Sequence, residues 1–480
     1  MLTFILSLVA LTAGYFGYAR FVEKCFGIDE TADTPAVRLN DGVDFVPMPA
    51  WRIFMIQFLN IAGLGPIFGA IMGAMYGPAA FLWIVFGCIF AGAVHDYFSG
   101  MLSCRHDGVS IPEVVGHYLG NGFRQFMRGF SVILLLLVGV VFILGPADIM
   151  TDLTKNSLSF GPLSVKDFWV YVIFIYYLAA TVLPIDKIIG KVYPAFGIVL
   201  FVMAAGLLFA IFRLNAPIPE LTFASMHNLH DKPETYPLFP MLFITIACGA
   251  ISGFHATQSP MMARCISSER QGRRIFYGAM IAEGIIALIW AAAAMSFFGD
   301  TAGLNTAMGE HGGNAAWAVK EICNSWLGKV GGILAILGVV ACPITSGDTA
   351  FRSARLIIAD FTKLCQKPIG KRLLVSIPLF VVAFLITHLE FSVIWRYFGF
   401  SNQLLATLVL WTAAVYMKKH RKNFWIAMLP ATFMTAVCST YILIAPEGFQ
   451  LATAVAYPAS IVITTGTLLW FFRKKQKKQR

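Results

Sequence analysis

Charge is scarce in this sequence. Of 480 residues only 13% are Asp, Glu, Lys or Arg and 58% are hydrophobic, against roughly 25% charged in ordinary soluble domains. That shortage excludes water as the solvent for most of the surface. Enzymatic signatures are missing too: no GxSxG, HExxH, P-loop or dinucleotide fingerprint occurs in a workable context, so neither an enzyme nor an ATP-driven pump is supported. The nine cysteines show no CxxC or metal spacing and read as structural, so no metal or cofactor is expected. No basic residue precedes the first apolar run, MLTFILSLVALTAGYFGYAR, which argues for a retained helix over a cleaved signal peptide. The net charge of +11 sits in short clusters at the ends of apolar runs, which excludes nucleic acid and leaves the lipid bilayer as partner.

What is present is a succession of apolar runs of about 20 residues, each long enough to cross ~30 Å of hydrocarbon. They predict an N-terminal helix over 1–19 and a loop over 20–49. Five segments follow near 50–76, 78–104, 126–147, 167–183 and 188–212, and five more near 237–262, 273–298, 329–350, 371–388 and 392–417. Two helices within 424–472 and a basic tail, 473–480, complete thirteen crossings. With Met1 outside, every Lys and Arg falls on the cytoplasmic side except Lys155, Lys166, Arg213, Lys232, Lys320, Lys329 and Arg396, as the positive-inside rule requires. Between spans, Ser110-Ile-Pro-Glu113 has capping-box spacing for a short cytoplasmic helix. The stretch NAAWAVKEICNSWLG from Asn314 reads as an external amphipathic helix. Either serves as a gate or, more commonly, a connector.

Two segments are interrupted. The first core segment carries Gly63-Leu64-Gly65-Pro66 at its middle; proline removes a donor and glycine lowers the cost of unwinding. Backbone freed in this way must be buried in protein or line a wet cavity. Gly65, Gly69, Gly73 and Gly77 then form a small-residue stripe for close packing. The sixth segment repeats the design with Gly249, Ser252, Gly253 and a polar run, His255, Thr257, Gln258 and Ser259, before Pro260. Each interrupted helix leads a set of five, over 50–212 and 237–417, and an odd number of crossings per set makes any repeat inverted. Matching interruptions in two halves point to a transporter site at the bilayer midplane.

Few ionisable groups lie inside the spans, where each is expensive and therefore informative. His95 and Asp96 fall in the second segment, Glu283 in the seventh, Asp348 at the end of the eighth, and the polar pair Asn402-Gln403 in the tenth. Glu283, about ten residues inside its span with no sequence-adjacent partner, suits proton carriage or a hydrogen bond to another helix. Asp348 either pairs with Arg352 one turn on or takes part in binding. Thr345 and Ser346 offer hydroxyls to a sodium ion or bond backbone carbonyls. For His95 and His255 hydrogen bonding comes before metal coordination, and Asp96 orients polar groups or caps a helix.

The segments TPAVRLNDGVDFVP, IAGLGPIFGA, AGAVHDYFSGMLSCRHDG, FITIACGAISGFHATQSP, GDTAFRSARLIIAD and WRYFGFSNQLLATL closely resemble the carbon starvation protein A family, from about residue 30 to the last helix. The resemblance implies an all-α, LeuT-like 5+5 inverted repeat with one extra N-terminal and two extra C-terminal helices. It also implies a bacterial inner-membrane carrier taking up peptides or small carboxylates such as pyruvate, driven by protons, during carbon starvation. This chain departs from long-form members in a short external loop before the eighth segment, in His95 where some relatives have glutamine, and in TQSPMMAR after His255.

On this reading the substrate, a small molecule, meets Gly63, Gly65 and Pro66 at one break. Gly249, Ser252, Gly253, His255, Thr257, Gln258, Asn402 and Gln403 form the other side. Ion coupling falls to His95, Asp96, Glu283, Thr345, Ser346 and Asp348, with a proton, or sodium, as the ion. A sodium-coupled amino-acid transporter, a channel and a substrate sensor are the rival functions; the sequence leaves oligomeric state open.

Overall fold

A computed structural model describes residues 1–42, 44–154, 163–182, 189–366 and 368–474. Lys155, Lys187, Lys367 and the basic tail beyond Lys474, all used in the orientation argument, lie outside the described residues. Helices make up the described architecture, and no strand forms among the described residues. Nine described helices are each long and apolar enough to cross a membrane, and the bent pair Ala50–Ile61 and Gly65–Ala74 makes a tenth. The other three expected spans are helical but fail that test for separate reasons. The fourth, Val165–Val182, stops where description stops; the sixth is split into Leu238–Thr245 and Gly253–Ala263, each too short alone; the eighth carries Asp348, Arg352 and Arg355 within one helix, Ala341–Thr362.

Burial sorts the spans. The apolar windows of Ala79–Arg105, Glu269–Phe297 and Val393–Lys419 are each 83% buried, whereas those of Leu2–Phe26 and Thr453–Arg473 are 28% and 17% buried. The first three therefore form the core, and the terminal helices turn apolar faces such as Leu2, Leu6, Val9, Ile461 and Val462 outward, as hydrocarbon permits and water does not.

Both predicted interruptions exist. Ala50–Ile61 and Gly65–Ala74 meet at 56°, and the second half begins with a π-helical turn over Gly65–Gly69. In the second interrupted helix the expected location needs correction: the chain leaves the helix at Ile246 and resumes at Gly253. His255, Thr257 and Gln258 thus stand on the regular helix Gly253–Ala263, which carries Pro260 inside it. The unwinding belongs to Gly249, whose φ of +92° only glycine adopts at low cost.

The glycine stripe has a specific partner. An added Cβ at Gly65 would lie 2.2 Å from the Cys248 Cβ, at Gly69 3.0 Å from the Thr245 carbonyl oxygen, and at Gly73 2.2 Å from Ile246 Cγ1. The first interrupted helix therefore seats directly on the unwound stretch of the second. This contact brings the two breaks to one place.

Three smaller expectations change. The eighth segment runs on to Thr362, so Asp348 sits within its helix rather than at the end; the buried Arg355 that follows donates to Gln366 Oε1 at 2.9 Å, which lets the polar continuation stay inside. The helix Ile111–Leu119 forms without the capping box: Ser110 makes no side-chain cap, and Glu113 turns to Arg128, whose Nε donates to Oε1 at 2.7 Å. The external helix starts at Ala315 as expected and breaks its regularity at Gly328 (φ 59°) on the way into the eighth span.

Candidate transport site

At the junction of the breaks, side chains from three helices and an unwound stretch converge. Asp96 stands on Ala93–Arg105, immediately after a ten-residue π-helical stretch, Trp83–Gly92; such widened turns are frequent at functional positions. Asp96 is fully buried and accepts from both neighbouring histidines, from His95 Nδ1 at 2.8 Å on Oδ1 and from His255 Nδ1 at 3.0 Å on Oδ2. Two donors on one carboxylate offset the cost of burying its charge. From the helix Gly278–Phe297, Glu283 reaches the same place, with Oε2 3.5 Å from His255 Nε2. Four nominated residues, His95, Asp96, His255 and Glu283, are thus one cluster, and Asp96 orients rather than caps.

Cys248 joins them from the unwound stretch. Its sulfur, a ring nitrogen of His255 and a Glu283 oxygen lie within 4.8 Å of one another, all buried. These three are the described residues that could hold a metal ion. Nothing in the sequence spacing signalled Cys248, because its partners are brought to it by the break and by another helix.

A second group of nominated residues works as a clamp on the break. Asn402 Oδ1 accepts from the Phe254 amide at 2.8 Å and from Ser252 Oγ at 3.2 Å, capping the helix that starts at Gly253. Gln403 Nε2 donates to the Phe243 carbonyl at 2.9 Å on the other side of the gap. Trp83 Nε1 donates to the Ile246 carbonyl at 3.0 Å and satisfies part of the unwound backbone. Gly253 permits this: a Cβ there would lie 2.4 Å from the Asn402 carbonyl oxygen. Thr257 and Gln258 point elsewhere, with Ser353 Oγ donating to the Thr257 carbonyl at 3.1 Å and lying 3.4 Å from Gln258 Oε1. They tie the second interrupted helix to the eighth span.

The third group stands apart from the cluster on the eighth span. Ser346 Oγ donates to the Leu59 carbonyl at 2.8 Å, and Thr345 Oγ1 to the Cys342 carbonyl at 2.7 Å, so both hydroxyls bond backbone carbonyls. Ser346 thereby reaches the last turn before the first break. Asp348 is buried, and Arg352, one turn on, sends Nη2 to the Ala180 carbonyl at 3.2 Å.

Around the first break the glycines themselves are covered, Gly65 by Cys248 and Gly63 by Phe142, whose Cζ lies 2.5 Å from an added Cβ. Sequence reasoning missed two polar residues on the helix before it. Gln57 Nε2 reaches Ser259 Oγ at 3.5 Å, while Gln57 Oε1 and both amide atoms of Asn60 are buried without hydrogen-bond partners. Their signal was present: two amides three apart in an apolar run. Asn402 Nδ2 and Gln403 Oε1 are likewise left over. Buried polar atoms without partners carry a desolvation cost that a ligand relieves.

Two interrupted helices packed against each other around a buried polar centre give the chain the LeuT fold. The solved structure of MhsT in complex with L-phenylalanine superposes with a TM-score of 0.57 over 88% of this chain and 97% of that one, at 12% identity, a likeness of fold. The chain belongs to the family described as carbon starvation protein CstA, whose family model matches residues 1–160, 152–331 and 318–441. It is 44% identical to an uncharacterized membrane protein of Haemophilus influenzae over 67% of this chain and 97% of that one. It is 26% identical to the peptide transporter CstA of Campylobacter jejuni, over 94% and 81% of the two chains. The pyruvate/proton symporter BtsT of Escherichia coli is 28% identical over 57% of this chain and 46% of its own length.

Proposed function

We propose that this protein takes up peptides or small carboxylates such as pyruvate across the bacterial inner membrane, driven by protons, with its N-terminus outside and its C-terminus in the cytoplasm. The observation that carries the reading is the seating of one interrupted helix on the other, Gly65 against Cys248, with partnerless polar atoms of Gln57, Asn60, Asn402 and Gln403 left buried. A substrate carboxylate would meet the amides of the half-helix Gly65–Ala74, where the dipole favours an anion. Asn60 and Asn402 would take its remaining polar groups. The names of the peptide transporter and of the pyruvate/proton symporter support the substrate classes and the proton. The repeat boundaries, 50–212 and 237–417, belong to the same proposal.

For coupling we favour Asp348. It is buried on the helix that Ser346 ties to the first break, and its surroundings include Arg352 on its own helix and Tyr177, whose hydroxyl oxygen lies 2.0 Å from a Cβ built at Gly347. Taking up a proton there lowers the cost of a buried charge in one access state and so biases the pair of states.

The test is uptake into liposomes holding the purified protein, with a dipeptide and with pyruvate, under a proton or a sodium gradient imposed separately. Accumulation of one of them under the proton gradient and trans-stimulation by internal substrate are expected. Uptake of neither under any gradient would sink the proposal, and flux insensitive to gradients would indicate a channel. Asp348→Asn is expected to keep substrate counterflow and lose pH-driven accumulation; full accumulation in that variant would remove Asp348 from coupling.

A further inference from the structure

Three buried side chains of metal-ligating type lie close together at the centre of the molecule. The His255 ring is fixed by its Nδ1 contact with Asp96 at 3.0 Å; in the neutral ring this contact holds the proton on Nδ1 and opens Nε2 to a metal ion. Nε2 has no hydrogen-bond partner, and neither does either oxygen of Glu283, although Nε2 and Oε2 lie 3.5 Å apart. His255 and Glu283 are completely buried, and Cys248 is 2% exposed. The thiol's hydrogen bond is a long one, 3.5 Å to Ser252 Oγ. An imidazole nitrogen, a carboxylate oxygen and a sulfur within 4.8 Å make up a donor set.

We infer that Cys248 Sγ, His255 Nε2 and Glu283 Oε2 form a binding site for a divalent ion of the zinc class. One sulfur, one nitrogen and one oxygen suit zinc, whereas calcium and magnesium call for oxygen alone. A histidine ligand whose other nitrogen donates to a carboxylate is the usual support of such a metal, and Asp96 supplies it. Charge favours the same occupant: Asp96, Glu283 and the Cys248 thiolate formed on binding bring three negative charges to a buried centre, and a dication offsets two of them where a monovalent ion offsets one. Binding releases the Cys248 thiol proton to solvent and leaves the fourth tetrahedral position for a small ligand.

The backbone is shaped for this. Cys248 reaches the centre because the helix is unwound at Ile246–Ser252 and Gly65 leaves room for its side chain, an added Cβ lying 2.3 Å from Sγ. Gly249 brings that stretch against the helix bearing Glu283, where its own Cβ would lie 2.5 Å from the Ala287 Cβ. The inference does not depend on which substrate is carried.

The experiment is metal analysis of the full chain purified in detergent, incubated with Zn²⁺ and desalted, followed by cobalt substitution and absorption spectroscopy. About one zinc per chain and a thiolate-to-cobalt charge-transfer band are expected for the wild type. Cys248→Ser should lose the band and His255→Gln the metal, and Asp96→Asn should bind about 10- to 100-fold more weakly. Cys438→Ser, which alters a buried cysteine beside Thr407, should behave as wild type. Zinc content no higher in the wild type than in His255→Gln, or cobalt bound without a thiolate band in the wild type, would overturn the site. The second readout needs no variant, so a misfolded substitution leaves the test intact.

Discussion

Asn402 is worth more to the fold than its polarity alone suggests. One side-chain oxygen takes the Phe254 amide and the Ser252 hydroxyl, so the restart of the broken helix depends on a residue from another span. Asn402→Ala is expected to lower stability by about 1 kcal/mol, the usual loss for a helix cap, read as a fall in thermal midpoint in detergent; an unchanged midpoint would show that the Asn402 cap contributes nothing. At the other chemical extreme, His106 lies just beyond the helix Ala93–Arg105 and bonds the Tyr118 hydroxyl at 2.7 Å. Burial, then the His117 charge, with Lys419 and His420 adding to it against Asp107, push its pKa down from 6.5 to about 4. The folded state thus resists a proton that the unfolded chain accepts. Its contribution is complete above pH 6.5 and is lost as pH falls towards 4. His106→Asn should flatten the decline of the thermal midpoint over that window, and identical pH profiles would remove the assignment. Both residues were legible as polar positions in the sequence, but their partners were not, since Phe254 and Tyr118 reach them only through packing.

Among the helices, the decisive contact is the glycine stripe on the unwound segment. Gly73→Ala places a Cβ 2.2 Å from Ile246 Cγ1, and overpacking of this kind costs about 1–3 kcal/mol. Lower yield of folded protein and slower transport are expected together, while Gly129→Ala, with nothing within 4 Å of the new Cβ, should leave both unchanged. Equal behaviour of the two variants would show that the stripe does not set the approach of the breaks. The stripe and the existence of both interruptions could be read from Gly placement, with Pro66 at the first, because those residues act on their own backbone. The limits of the second interruption could not: His255, Thr257 and Gln258 look like loop residues in sequence and are helical, since Asn402 supplies the cap and Ser353 a bond to the Thr257 carbonyl.

For the whole molecule, orientation is the property most open to test. Cys365 is the exposed cysteine among the described residues, and the proposed topology puts it inside. A membrane-impermeant maleimide should therefore label it in inside-out vesicles and not in intact cells; the reverse would invert the topology. Apolar run lengths, the clustering of Lys and Arg and the presence of two glycine-bearing interruptions were set by the sequence alone, because hydrocarbon thickness, membrane charge asymmetry and backbone sterics act on local stretches of chain. The family resemblance followed from the same stretches. Tertiary structure decided which polar residues meet: it joined His95, Asp96, His255 and Glu283, added Cys248, and kept Thr345, Ser346 and Asp348 apart on another helix. The reason is geometric, since an interrupted helix can be recognised from its own residues, whereas a cluster formed across three helices and an unwound stretch exists only once Gly65 has allowed one break to seat on the other.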